Sequence, residues 1–438
     1  MGLKRIRSGG GHRYKFTPLI RDANTPVQAA LIDCINQPRL CFTSSALISP
    51  GNRAILSVAA GHFTVDYTAA LPTMMYPFLV VSLGLSYANV GVAAAAYTLA
   101  NSLAQPLCGY IGDRFGHREV AVVGLVMQAV FIGSLIFAWN FLSLVLLLIF
   151  AGIFTGMFHP VGAAVANRAA RTLKGASVGT FFIGGMLGFA VSPLIAAKLF
   201  QEFGLIYAVF MIIPASAAGF AVFKFAAATP QPAVEKDAVA RTRPSLGMDS
   251  RAVAPLIWAI FFRSYTFAGM SVFIPLYFRS LEFSIQAGGL ALTLFMSGFS
   301  AGTITGGALS DRLGIKPVIV VTLALATPLM LVFVYTPGSL IGLAAITLAG
   351  FLVAGSFTPT IVMIQNQLPR LVGAATGVVL GFTFASGAVG QWVTGRLADS
   401  FGFETALSVV ALASLVAAIG GLLMTGSMRP RWMIPRAA

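Results

Sequence analysis

Charge is what this 438-residue chain has least of. Asp, Glu, Lys and Arg together make up 9% of it, against about 25% in soluble domains. A chain so poor in charge cannot cover a globular surface with polar groups. Cysteine is scarce as well: Cys34, Cys41 and Cys108 give neither a disulfide framework nor the spacing of a metal site. No Gly-rich nucleotide-binding motif occurs, so an ion gradient is the expected energy source. The apolar stretches hold no nucleophile–base set and no evident cluster of metal ligands, which argues against a membrane enzyme. No cofactor and no metal are expected.

What is abundant is apolar. Hydrophobic residues reach 57%, the mean hydropathy is +0.87, and 35 Phe and 46 Gly suit close helix packing in lipid. A helix needs about 20 apolar residues to cross a bilayer. Spans are predicted near 54–82, 87–111, 119–139, 142–167, 175–200, 204–227, 253–279, 284–309, 316–336, 339–367, 372–398 and 403–427. Residues 1–53 read as a disordered basic cytoplasmic tail, 54–227 as a six-helix bundle, 228–252 as a charged, Pro-containing linker, 253–427 as a second six-helix bundle, and 428–438 as a cytoplasmic tail. The expected fold class is all-α integral membrane, with twelve transmembrane helices.

A net charge of +15 resembles a nucleic-acid signature until its distribution is followed. With the N-terminus inside, 24 of the 28 Lys and Arg fall on inner segments. Only Lys198, Arg279 and Arg396 fall on outer ones, and Arg263 lies within a span. The excess is therefore topological. It places both termini in the cytoplasm, predicts a multi-pass protein of the inner (plasma) membrane and removes the nucleic-acid reading.

An internal repeat gives the chain its organisation. GYIGDRFGHR begins at Gly109 and GALSDRLGIK at Gly307. Gly109/Gly307, Asp113/Asp311, Arg114/Arg312, Gly116/Gly314 and Arg118/Lys316 match at an offset of 198, as do Gly204/Gly402 and Pro77/Pro275. Gly156/Gly355, Phe158/Phe357 and Pro160/Pro359 match at 199. Two six-helix halves, each with an even helix number, must be parallel repeats. The repeated loop G-x-x-x-D-R-x-G-x-[RK] resembles the signature loop of the major facilitator superfamily. Its glycines permit a tight turn and close helix approach. Its Asp and Arg can lock neighbouring helix ends, so these ten loop residues are assigned to gating; ordinary positive-inside charge is the plainer reading.

Ionisable residues within spans are costly and point to function by default. Four occur: His62 and Asp66 in the first span, His159 in the fourth and Arg263 in the seventh. His62 and Asp66, at i and i+4, share one helix face. Asp66 maps by the repeat onto Ser264, beside Arg263, so an Asp66–Arg263 pair is expected. Counted from the flanking cations, His62, His159 and Arg263 lie about 14–18 Å deep, near the middle of a ~30 Å core. Each has a structural alternative: Asp66 and Arg263 as a clamp between halves, His159 as a partner for a carbonyl freed by Pro160, His62 as an orienter of Asp66. Gln365 is a further substrate candidate, which an interhelical amide bond explains equally well.

Within the superfamily, GHFTVDYTAALPTMMYP (61–77), SLAQPLCGYIGDR (102–114), MFHP (157–160), FFIGGMLGFAVSPLIA (181–196) and RSYTFAGMSVFIPLYF (263–278) resemble the fosmidomycin-resistance group of exporters. Gly179, Gly184, Gly185 and Gly188 resemble, in part, the glycine-rich antiporter motif of drug exporters; helix packing alone would also explain them. Val161 and Ala164 stand where that group often has an acidic residue and an Arg. The resemblance implies that the first, fourth, seventh and tenth helices line a central cavity. It also implies proton-driven export of a small drug-like or organic-anion compound by a monomer in the bilayer. On that reading Asp66 and His62 couple protons, while Arg263, His159 and Gln365 bind substrate. The alternative on the same scaffold is a proton-coupled symporter taking up a small organic acid or nutrient.

Overall fold

The structure, a computed structural model, describes residues 50–170, 174–226, 250–367 and 372–424. The expected tails (1–49 and 425–438) and most of the linker (227–249) lie outside the described residues, as does the side chain of Gln365. In the N-terminal half the helices are α1 (Pro50–Leu83), α2 (Tyr87–Phe115), α3 (His117–Gly133), α4 (Phe141–Ala169), α5 (Lys174–Phe203) and α6 (Ile212–Phe225). In the C-terminal half they are α7 (Ser250–Ser280), α8 (Ile285–Leu313), α9 (Ile315–Tyr335) and α10 (Leu340–Gly355, resumed over Phe357–Gln367). One 52-residue helical run follows, broken at Gly402 (φ 79°) into α11 (372–401) and α12 (403–423). Among the described residues the fold is all-helical.

Among the described residues nine helical segments are long and apolar enough to cross a membrane, and one of these contains both α11 and α12. Two others fall short for local reasons. The 29-residue α2 carries Asn89, Asn101, Gln105, Asp113 and Arg114, and α6 has only 14 residues. The first helix begins at Pro50, not at 54, so the last four residues of the expected tail are helical. Proline suits this place, since its ring presets φ and a first-turn N–H has no partner within the helix.

The repeat visible in the sequence recurs in the backbone. Ser86 and Ser284 cap α2 and α8, each accepting from the N–H three residues on, at 3.1 and 3.2 Å. Asn140 and Ser339 do the same for α4 and α10. Gly116 and Gly314 take φ of 102° and 92°, and Gly204 and Gly402 take 69° and 79°. A side chain at any of these four turns would be strained.

Burial shows how the halves meet. The two signature loops lie at one end of the bundle, here the loop end. Toward the opposite, far end, a single hydrophobic core runs through both halves, joining Leu71, Met74 and Tyr76 to Phe273, Tyr277 and Phe295. Toward the loop end there are two separate cores. One, around Phe158, Val161 and Phe181, belongs to the N-terminal half; the other, around Ile260, Ile319 and Leu323, belongs to the C-terminal half. The halves are joined at the far end and part toward the loop end.

Candidate functional site

The site is built at mid-depth from α1, α4 and α5. His62 and Asp66 share a face of α1, and His62 Nε2 meets Asp66 Oδ2 at 3.2 Å. His159 reaches across from α4, with its Nε2 3.1 Å from Asp66 Oδ1. Each imidazole is fixed from behind. His62 Nδ1 lies 2.8 Å from the Phe181 carbonyl, and His159 Nδ1 lies 2.8 Å from the Thr155 carbonyl. A carbonyl only accepts, so both Nδ1 atoms carry hydrogen and donate. Both Nε2 atoms are thereby turned onto one carboxylate.

That arrangement dictates the chemistry available. A carboxylate oxygen and a bare Nε2 are both acceptors, so each contact requires a proton between its atoms. Asp66, His62 and His159 are the three side chains here that can hold such a proton. Asp66 and His159 keep 20% and 23% side-chain exposure while His62 keeps 3%. Two members therefore reach open space and the third is sealed against the Phe181 ring, whose centroid lies 4.0 Å away.

The glycines of α5 make room for this cluster. Gly184 and Gly188 lie against the backbone of α1 at Ala59 and Phe63. At Gly185 a Cβ would fall 2.5 Å from both Asp66 Oδ2 and His62 Nε2. The resemblance to an antiporter motif thus covers two distinct duties: two glycines set the α1–α5 distance, and one leaves space over the ionisable pair. A second polar chain buttresses the cluster, since Tyr97 OH meets Thr155 Oγ1 at 2.9 Å and Gln128 donates to the Val65 carbonyl at 2.8 Å.

Arg263 departs from expectation. Its side chain is 2% exposed, and the expected pair with Asp66 is not formed: the partners of the carboxylate are His62 and His159. Its Nη2 donates to Ser264 Oγ at 3.4 Å, and its Nε has no hydrogen-bond partner among the described residues. The guanidinium lies over the Phe357 ring, 4.8 Å from its centroid, where a cation–π contact offsets part of the desolvation. Phe357 opens the second part of α10, directly after the one-residue break at Ser356. Its repeat partner Phe158 packs near His62, with ring centroids 6.1 Å apart. Each half thus sets one repeat-related Phe beside its buried ionisable group.

The fold also corrects the impression that the ionisable residues are scattered. The donor atoms of His62, Asp66 and His159 all lie within 4.8 Å of one another, the one group of this kind among the described residues that could hold a metal ion.

At the loop end the signature residues make contacts within their own half. Asp113 accepts from His117 Nε2 at 3.1 Å and lies 3.5 Å from Arg168 Nη2. Arg168 Nη1 lies 3.0 Å from His117 Nδ1. Arg118 bonds Glu119, stacks over Phe223 at 4.3 Å and donates at 3.4 Å to the Phe223 carbonyl in the last turn of α6. Lys316, its repeat partner, donates to the carbonyls of Leu422 and Met424 at the end of α12, both at 2.8 Å. A cation on the last carbonyls of a helix is favourable. Asp311 and Arg312 are exposed at the matching place in the other half.

Paired Asp–Arg loops in register, two six-helix halves and mid-depth ionisable residues are the features of one transporter family. The family model described as Major Facilitator Superfamily matches residues 58–379 and 256–435. The chain belongs to this superfamily. Its relatives include the MFS-type transporter YfnC of Bacillus subtilis, 27% identical over 86% of this chain and 94% of that protein. The fosmidomycin resistance protein of Escherichia coli is 25% identical over 82% and 90%. Among solved structures, a bacterial homologue of the human lysosomal transporter Spinster, inward-facing and unoccupied, matches with a TM-score of 0.71 at 13% identity, over 86% and 98% of the two chains. A D-xylose–proton symporter matches with a TM-score of 0.70 at 15% identity, over 86% and 99%. Family and fold are those of membrane transporters, and the resemblance to the fosmidomycin group holds over most of the chain.

Proposed function

We propose that this Major Facilitator protein is a proton-coupled exporter, an antiporter for a small organic anion or drug-like compound. It would sit in the inner membrane as a monomer, with its loop end and both termini in the cytoplasm. The observation that carries this reading is a division of labour at mid-depth. One half holds a cluster built to gain and lose protons; the other holds a buried guanidinium with an unpartnered donor. Buried charges are normally paired, and an anionic substrate group would supply the missing partner in a forked, charge-assisted contact.

The cycle then needs no covalent step. Substrate enters from the loop end, where the halves part, and its anionic group binds Arg263 against the Phe357 ring. The halves rock, the far end opens, and protons from outside load Asp66, His62 and His159. Arrival of positive charge near Arg263 weakens its hold on the anion, which leaves outward. The proton-loaded carrier returns and releases its protons inside. Asp113, Asp311 and the basic residues of the two signature loops serve as gates at the cytoplasmic end. The likeness to the E. coli fosmidomycin resistance protein makes an anionic antimicrobial a sensible first probe, while Val161 and Ala164 argue for testing beyond it.

The test is a susceptibility screen of cells with and without the gene, followed by transport of any hit into inverted membrane vesicles. The reading predicts accumulation driven by an inside-acid gradient and abolished by a protonophore. Accumulation only with the gradient reversed would establish uptake by symport instead.

A further inference from the structure

At the far end, where the halves are joined, one carboxylate bridges them that no part of the proton or substrate reading uses. Asp399 lies at the end of α11, in the C-terminal half. Its Oδ1 accepts from the Tyr87 N–H at 2.9 Å and its Oδ2 from the Ala88 N–H at 2.8 Å. Tyr87 and Ala88 open α2, in the N-terminal half. The first four N–H groups of a helix have no partner within it, and here all four are satisfied. Ser86 donates to Asn89 Oδ1 at 3.1 Å, Asn89 donates to Ser86 Oγ at 3.1 Å, and the remaining two donate across the interface to Asp399. The negative charge also faces the positive end of the α2 dipole.

The surrounding contact is shaped for this approach. Gly395 lies against the Tyr87 backbone, and a Cβ at Gly91 would fall 2.5 Å from the Gln391 carbonyl. Thr98 donates to Gln391 Oε1 at 3.2 Å. The Tyr87 and Phe403 rings meet at 4.5 Å, continuing the joint core. The repeat does not reproduce the carboxylate. At the offset of 198 the equivalent of Asp399 is the neutral Gln201. At the related α5–α8 contact the cross-half bond runs instead from the Leu194 N–H to Thr293 Oγ1, at 3.0 Å.

We propose that Asp399 is the positioning residue of the far-end gate, a single carboxylate latch that caps α2 from the opposite half and holds the carrier open toward its loop end. Opening the far end parts α2 from α11, so the latch must break once in every transport cycle. Removing it shifts the resting population toward the far-end-open state while leaving the fold intact, because Asp399 lies at the surface. The inference depends on the alternating fold and not on which ion or substrate is carried.

The experiment is double electron–electron resonance on the full chain in lipid nanodiscs, without substrate. Nitroxide labels replace Glu202 and Leu340, one exposed position at the far end of each half, in a background lacking the native cysteines. Asp399→Asn and Asp399→Ala are expected to raise the long-distance, far-end-open population roughly fivefold, the typical worth of a lost helix cap. Asp311→Asn, at the other end, should not raise it. Hydrogen exchange supplies a second, label-free reading: the amides of Tyr87 and Ala88 should exchange several times faster in both Asp399 variants, with those of α9 unchanged. Distance distributions and amide exchange identical to the parent in both variants would overturn the proposal.

Discussion

Asp66 and His159 meet at 3.1 Å across two helices and 93 positions of sequence, and this contact turns an ordinary i, i+4 pair into a three-residue cluster. His62 alone would give Asp66 one partner on its own helix. With His159 added, each carboxylate oxygen has a histidine partner, and the Asp66–Arg263 pair expected from the repeat is not formed.

If the second histidine shares the protons, removing it should weaken coupling without destroying the site. His159→Gln is expected to lower proton-driven flux about tenfold, the worth of one hydrogen bond to a charged group at roughly 1.5 kcal/mol. His117→Gln, in the loop-end cluster, should leave coupling near the parent level. Initial rates in proteoliposomes under an imposed pH gradient make the comparison.

Gly185 offers a steric test. Gly185→Ala places a Cβ 2.5 Å from Asp66 Oδ2 and His62 Nε2, so the cluster must shift, at a cost of about 1–3 kcal/mol. Gly179→Ala meets nothing within 4 Å and should behave as the parent. The pair separates the space over the cluster from helix packing in general: transport and thermal stability should both fall in the first variant and neither in the second.

Arg263 should distinguish charge from shape. Arg263→Gln is expected to weaken binding of an anionic substrate about 10–100-fold, from the loss of a charge-assisted bond worth about 1.5–3 kcal/mol. Arg263→Lys keeps the charge and loses the planar fork and its stacking on Phe357, so an intermediate loss is expected. Equilibrium binding to the purified protein reads both, and equal affinity in all three proteins would remove Arg263 from the binding site.

Lys316 tests the role of the signature loop. Its bonds to the Leu422 and Met424 carbonyls predict that Lys316→Met lowers stability by about 0.5–1 kcal/mol, the usual worth of a cation at a helix C-terminus. Thermal unfolding in detergent measures it.

Much of the fold is legible in the sequence. The offset of 198 that pairs Asp113 with Asp311 also pairs the caps Ser86 and Ser284 and the positive-φ glycines Gly116 and Gly314, because both halves solve the same turns with the same residues. The site was legible only locally. His62 and Asp66 share a helix face, which spacing alone reveals. The reach of His159 to Asp66 depends on how α1 and α4 pack, and symmetry pointed instead to Arg263. Gly185 could be noticed but not assigned, since what a glycine makes room for lies on another helix. Asp399 gave no local signal at all: it sits at a helix end among ordinary polar residues, and its partners are backbone N–H groups 311 and 312 positions away.

The central claim is that the His62–Asp66–His159 cluster carries the coupling proton. The most direct measurement is flux of a confirmed substrate in proteoliposomes containing Asp66→Asn, under an imposed pH gradient and, separately, in substrate-for-substrate exchange without one. The account predicts that gradient-driven accumulation is lost while exchange persists, since the substituted amide can satisfy one imidazole but cannot release a proton. Gradient-driven accumulation at the parent rate in Asp66→Asn would contradict it.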